Sequence, residues 1–169
     1  ISLRLLYRWY LTSIVYRKND VFFASPARSR RDLFFLQLVL GNLPGISAPD
    51  WRKFNSKVWE IDRERFSVEL FSEPEVFNQL LAALIAEQIP LGYLEGYAEI
   101  KEIARAHYPK KPTVIVSSNQ HFVNEVFKVW LAGRLGNGAK LVGVPHGGHY
   151  GNALFSANEK HERKVANLY

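Results

Sequence analysis

The sequence predicts a mixed α/β domain built around a parallel sheet, and three observations carry that expectation. Thr113-Val-Ile-Val-Ser117 and Leu141-Val-Gly-Val144 are short, β-branched apolar runs of the kind that a parallel sheet covers on both faces. Between them, Phe122 to Leu135 places Phe122, Val126, Phe127, Trp130 and Leu131 at helical spacing. A polar helix expected from about Ala157 to Ala166 continues the alternation. Strand, helix and strand in this order make a right-handed parallel β-α-β crossover, so the domain is expected to be Rossmann-like.

The remaining elements follow in chain order. Ile1 to Tyr16 is apolar with Arg4 and Arg8 one helical turn apart, which predicts a helix that docks on the body of the protein or lies on a membrane surface. Asp20-Val-Phe-Phe-Ala24 reads as a buried strand. The basic turn Ser25-Pro-Ala-Arg28-Ser-Arg30-Arg31 leads into a helix from about Asp32 to Leu40, and it is either a solvated charge run or a phosphate site at the helix head. Gly41 to Trp51 holds two Gly and two Pro and is expected to be loop. Ser72 as N-cap, Glu75 three residues on and Pro74 in the first turn predict a helix running to about Gln88. Pro90 interrupts, helical spacing resumes from Leu91 to His107, and Pro109 and Pro112 end it. Gly136 is expected to close the crossover helix.

Composition narrows the class. With 169 residues, 47% of them hydrophobic and 14% aromatic, the chain can bury one domain core and is not a disordered tail. The longest uncharged stretch, Leu33 to Pro49, is broken by Gly41, Pro44 and Gly45, so no bilayer span is expected, and there is no signal-peptide pattern. The absence of Cys removes disulfides and thiolate metal sites and agrees with a cytoplasmic location. Met is also absent and the first residue is Ile1, which predicts that the chain starts inside a longer protein. The net charge of +6, from 22 Lys and Arg against 16 Asp and Glu, is concentrated early and favours anionic partners. Basic residues and aromatics do not interleave in a nucleic-acid-binding pattern, so no nucleic acid partner is expected.

The chemistry concentrates where the last strand ends. Lys140-Leu-Val-Gly-Val-Pro-His146-Gly147-Gly148-His149-Tyr150-Gly151 runs a buried strand into a glycine-loosened loop with two imidazoles. In parallel sheets ligands sit beyond the carboxyl ends of the strands, and His146 lies there. Asn119, just past the preceding strand, is expected at the same edge, as a site residue or as the N-cap of the next helix. Glu125 and Lys128 suit a surface ion pair, although Glu125 could reach the crevice. His121 is expected to be solvated. Ser156 and Glu159 form a capping-box pair, while His161 and Glu162 are freer to act. A metal held by His146, His149 and His161 lacks the rigid helical placement such sites use, and none is expected.

These residues carry a resemblance. Pro90-Leu-Gly-Tyr-Leu94-Glu95-Gly96-Tyr97, Ser118-Asn119, Glu125-Val-Phe127-Lys128-Val-Trp130-Leu-Ala132, His146-Gly-Gly-His-Tyr150-Gly151 and Glu159-Lys-His161-Glu162, in that order, closely resemble a family of bacterial transferases encoded among surface-carbohydrate and O-antigen biosynthesis genes. The match runs from about Asp20 to the end, and Pro145, Lys160 and Asn167 depart from a pattern of Gln, Glu and Asp at those positions. The resemblance implies a GT-B-type two-domain glycosyltransferase, with residues 1–169 as a single, partial N-terminal, acceptor-side domain and the donor-binding C-terminal domain lying beyond Tyr169.

The resemblance further implies that His146 is the base for the acceptor hydroxyl. Asn119, Gly147, Gly148, His149, Tyr150, Gly151, Glu159, His161 and Glu162 would line the cleft and bind substrate. The donor would be a nucleotide-activated sugar with no further cofactor, and the acceptor a surface polysaccharide or lipopolysaccharide. The location would be cytoplasmic or peripheral to the inner membrane. Two other classes fit the residues alone: a non-catalytic, anion-binding Rossmann-like module, and a metal-dependent hydrolase using His146, His149 and His161.

Overall fold

The computed structural model describes residues 2–25, 29–45, 59–66, 76–145, 147 and 150–169. The chain opens with α1 (Leu3–Tyr10), whose N-cap Ser2 hydroxyl accepts from the Arg4 amide, and continues through a π-helical stretch (Leu11–Val15) into α2 (Tyr16–Lys18). Then follow β1 (Val21–Ser25), α3 (Arg30–Val39), a 3-10 turn (Arg63–Phe66), α4 (Val76–Gln88) and a second 3-10 turn (Leu91–Tyr93). The rest of the chain is α5 (Tyr97–His107), β2 (Val114–Ser117), α6 (Gln120–Val123), α7 (Glu125–Gly136), β3 (Lys140–Gly143) and α8 (Ala157–Val165).

The three strands form one parallel sheet in the order β1-β2-β3. Phe22, Ile115 and Leu141 pair in one row, and Ser25, Ser117 and Gly143 pair at the carboxyl ends. A parallel bridge between Val142 and Leu168 lays the last residues beside β3, where the Asn167 carboxamide oxygen accepts from the Leu141 amide at 2.8 Å. The mixed α/β, Rossmann-like expectation therefore holds at the level of a small three-stranded parallel sheet.

One face of the sheet carries the core. Phe22, Ile115 and Leu141 pack with Ile100 and Ala104 of α5 and with Val126, Phe127 and Trp130 of α7. Phe22 meets Trp130 edge-on at 5.3 Å between ring centroids, and Tyr108 stacks on Trp130 at 4.9 Å. Trp130 and Tyr108 also spend their polar tips well, Trp130 donating to the Pro109 carbonyl at 2.9 Å and Tyr108 accepting from Asn124. Burying a ring such as Phe127 completely stabilises the fold by roughly 2–3 kcal/mol. Coverage on both faces, as the sequence suggests, is only partly realised: Ile115 and Leu141 are sealed, whereas Val114, Val116 and Val142 stay half-buried.

Among the described residues, Leu11, Val15, Phe23, Leu33 and Ala86 are the buried apolar side chains outside that cluster. The segment 41–45 is fastened beneath β1 by side chains: Asn19 exchanges two hydrogen bonds with the Leu43 backbone, at 2.7 and 2.8 Å, and the buried Gln37 accepts from the Gly45 amide at 3.0 Å.

Four sequence expectations change. The helix read from Phe122 to Leu135 is two helices, because Asn124 adopts an extended conformation and its side-chain oxygen accepts from the Phe127 amide at 3.0 Å, capping α7. Gly136 remains inside α7, and the turn into β3 is made by Gly138, whose φ of 91° suits a residue without Cβ. Helical spacing from Leu91 becomes a helix only at Tyr97, since Glu95 turns toward the 59–66 segment to meet the Asp62 amide and the Arg65 guanidinium. The first helix is not docked along its length: no residue of α1 is buried, and only Leu11 and Val15 beyond it are. The predicted Ser72 cap and the Pro26 to Arg28 part of the basic turn lie outside the described residues. Among the described residues no helix is long and apolar enough to cross a membrane.

Candidate functional site at the carboxyl rim of the sheet

Ser25, Ser117 and Gly143 end the three strands side by side, and hydrogen bonds stitch this rim together. Ser118 donates its hydroxyl to the Ser25 carbonyl and its amide to the same oxygen at 2.9 Å. Val144 donates to the Ser117 carbonyl at 3.0 Å, so the chain leaving β3 stays beside β2 for one residue past the strand. The Ser117 hydroxyl, fully buried, accepts from the Gln120 amide at 3.2 Å and lies 3.1 Å from the His121 Nδ1.

His121 is thus buried against the end of β2 and is not the solvated residue that its place near a helix start suggests. A buried imidazole at van der Waals density needs a polar neighbour, and Ser117, four residues back, supplies it. Asn119 starts α6, but its side chain makes no cap; its oxygen is enclosed without a hydrogen-bond partner. The capping reading of Asn119 therefore gives way to a carboxamide whose oxygen still requires a donor.

Beyond β3 the chain enters the glycine loop. Gly147 and Gly151 have φ of 108° and 77°, a left-handed region in which a side chain would be strained. His146, Gly148 and His149 lie outside the described residues. The far end of the loop is tied to α8. Tyr150 donates its hydroxyl to Glu162 at 2.9 Å, and the Gly151 amide donates to Glu159 at 3.1 Å. The Arg163 guanidinium holds the other oxygen of Glu159 at 3.0 Å.

The capping pair is realised on one side, with the Ser156 hydroxyl accepting from the Glu159 amide at 3.2 Å, while the Glu159 carboxylate reaches out to the loop and to Arg163. Glu162, expected to be free, is completely buried. Tyr169 stands on its other side, its ring under the Arg163 guanidinium at 4.9 Å. Burial, and then the Glu162 carboxylate that accepts its proton, push the Tyr150 phenol up to about 12. Tyr169 is pushed up by burial and by the charges of Glu162 and Glu159, with Arg163 acting in the opposite sense. The hydrogen bond from the Tyr150 phenol to one carboxylate oxygen offsets part of the cost of burying Glu162.

Of the sequence-selected residues, Tyr150, Gly151, Glu159 and Glu162 therefore form one bonded cluster, and Asn119 stands at the end of the neighbouring strand. His161 is exposed on α8, and among the described residues no hydrogen bond joins it to the loop. Glu125 is engaged elsewhere, accepting from the Tyr93 hydroxyl and pairing with Lys128 at 2.6 Å, and the bond to Glu125, then burial, raise the Tyr93 phenol to about 12. Ser117, His121 and Tyr169 join the site without a functional signal in the sequence: Ser117 and His121 meet four residues apart at the end of β2, and Tyr169 is brought in by the chain end lying beside β3. Among the described residues no three His, Asp or Glu side chains are grouped to hold a metal; the His146, His149 and His161 set falls mostly outside those residues.

Searches of curated proteins and of solved structures find no match to the chain. A family model described as LIC12162 family transferase matches residues 2–169. A polar, glycine-containing rim at the carboxyl ends of a parallel sheet is where a domain of this class presents its chemistry, and with the match covering nearly all of its length the chain belongs to the LIC12162 family of transferases.

Proposed function

We propose that this chain is the acceptor-side half of a GT-B-type glycosyltransferase that moves a sugar from a nucleotide-activated donor to a surface-polysaccharide or lipopolysaccharide acceptor. His146 is the general base. Its neutral imidazole takes the proton of the acceptor hydroxyl as that oxygen bonds to the anomeric carbon, and the nucleoside diphosphate leaves with the electron pair of the broken glycosidic bond. Gly147 and Gly148 let backbone amides approach sugar or phosphate oxygens, while Gly151, whose amide is held by Glu159, ties the loop to α8. Asn119 supplies an enclosed carboxamide to a substrate hydroxyl, and His149 and His161 contact substrate without moving the proton. A second domain binds the donor.

The observation that carries this reading is the shared rim. Ser117 and Gly143 pair in register, so Asn119 and the glycine loop leave the sheet from neighbouring strands, and the enclosed Asn119 oxygen has no donor of its own there.

The test is turnover of the full-length protein with nucleotide-sugar donors and lipid-linked or polysaccharide acceptors, followed by mass spectrometry of the product. His146→Ala is expected to lower turnover by roughly 10²- to 10⁴-fold and His149→Ala by much less. His146→Gln keeps hydrogen bonding but cannot take up the proton, and is expected to stay slow. Near wild-type turnover by a stably folded His146→Gln protein would overturn the assignment, as would activity that tracks added divalent metal and needs no donor.

A further inference from the structure

At the opposite edge of the sheet, where the strands begin, cations outnumber the acids Asp20 and Glu102. Arg17 at the end of α2, Arg105 near the end of α5, and Lys110 and Lys111 in the connection to β2 line an open hollow of about 430 Å³ with Thr12 and Tyr16. Adjoining hollows share Lys110 and bring in Arg134 from the end of α7. Arg105 is paired with Glu102 at 2.7 Å, but among the described residues no carboxylate pairs with Arg17, Lys110 or Lys111. Cations at helix C-termini complement the helix dipole, which accounts for Arg17 and Arg105. Lys110 and Lys111 lie past the end of α5, in a loop, and need another reason.

The helical segment that supplies Thr12 and Tyr16 to this hollow begins with α1, whose amphipathicity is turned outward. Arg4 and Arg8 share a stripe, and the Arg8 guanidinium lies 3.1 Å from Nε2 of His107 on α5, so the polar stripe faces the body. The apolar arc faces away from it, with Leu3 83%, Leu5 61%, Leu6 49% and Trp9 60% exposed. A helix that belongs to a water-facing surface does the reverse.

We infer that this edge docks on an anionic lipid bilayer. The arc of Leu5, Leu6 and Trp9 enters the boundary between headgroups and acyl chains, with the Trp9 indole at the level it favours. Arg17, Lys110 and Lys111 lie over the negative headgroups beside it. The helical segment that carries the apolar arc shares its hollow with cations from α2 and from the loop after α5, and that pairing fits a lipid surface better than either feature fits alone. The inference stands apart from the transfer reaction and leaves the carboxyl rim, at the other end of the sheet, facing away from the lipid.

Co-sedimentation of the full chain with vesicles tests it, using phosphatidylcholine alone and phosphatidylcholine mixed with phosphatidylglycerol. Partitioning is expected on the mixed vesicles only and is expected to weaken with added salt. Lys110→Gln/Lys111→Gln should lower it by about 25-fold, near fivefold for each cation removed. Leu5→Ser/Trp9→Ser should abolish it, and since both side chains are exposed the far-ultraviolet circular dichroism should be unchanged. Equal partitioning on neutral vesicles, no partitioning on the mixed ones, or wild-type partitioning by either variant would overturn the inference. So would a dimer in sedimentation velocity that Leu5→Ser/Trp9→Ser dissociates, which would make a second copy of the chain the occupant.

Discussion

The two ends of the parallel sheet are built from opposite chemistry. At the carboxyl rim the polar groups are spent on one another: Ser118 on Ser25, Ser117 on His121, Tyr150 on Glu162 and Gly151 on Glu159. At the amino edge, among the described residues, no carboxylate pairs with Arg17, Lys110 or Lys111. Strand direction explains part of the contrast. In a parallel crossover every helix starts near one end of the sheet and finishes near the other, so helix starts, with their acidic and hydroxyl caps, gather at the rim and helix ends, with their cations, at the opposite edge. A rim of mutually bonded groups can hold a reacting atom in place, whereas cations without carboxylate partners among the described residues fix no such geometry.

The sharpest way to break this contrast is to remove the core that both ends share. Phe127 is fully buried and meets the Tyr108 ring at 5.5 Å, so Phe127→Ala should cost about 3–5 kcal/mol in urea unfolding and loosen the two ends together. Loss confined to one end would show that the ends are independent units.

A smaller effect should separate them. Glu162→Ala leaves the Tyr150 hydroxyl without its acceptor in a half-buried place and should cost about 1–3 kcal/mol. Hydrogen exchange should rise in residues 147–153 while α5 and α7 keep their protection, and Glu162→Gln, which retains an acceptor, should lie closer to wild type. Unchanged exchange in the loop would mean that α8 does not hold it.

Alkali should have the least effect of the three. Tyr93 and Tyr150 are raised from 10.0 to about 12, so the folded chain holds these protons more tightly than the unfolded one. Their contribution to stability is complete below pH 10.0 and is lost as pH rises through about 12. Denaturation midpoints measured across that window should fall less steeply for Tyr93→Phe/Tyr150→Phe than for the wild type; parallel curves would contradict the assignment.

Much of the fold was legible because its signals are local. The β-branched runs at Thr113 and Leu141 became β2 and β3, and the apolar spacing from Phe122 became helix, since periodicity reports which face of an element is buried. The Ser156 cap was readable for the same reason: its partner is three residues away. Asn124 shows the limit. It sits in an unbroken helical pattern, yet its side chain competes for the Phe127 amide and divides the helix, a contest that apolar spacing does not register.

The sequence by itself determined the order of strands and helices, a net charge of +6, and the region in which polar residues and glycines gather beyond the last strand. Tertiary structure alone decided which of those polar residues are buried and what they hold. Glu162 and Tyr150 are 12 positions apart and on different elements, and nothing in either neighbourhood marks Glu162 as sealed and Glu159, three residues earlier, as bonded to the loop. Tertiary structure also decided that the Arg stripe of α1 turns inward and its apolar arc outward, because Arg8 finds His107 across 99 positions of sequence. Local propensity depends on neighbours within a turn or two, whereas burial and pairing depend on which surfaces the strand pairing brings together, and that is a property of the assembled sheet.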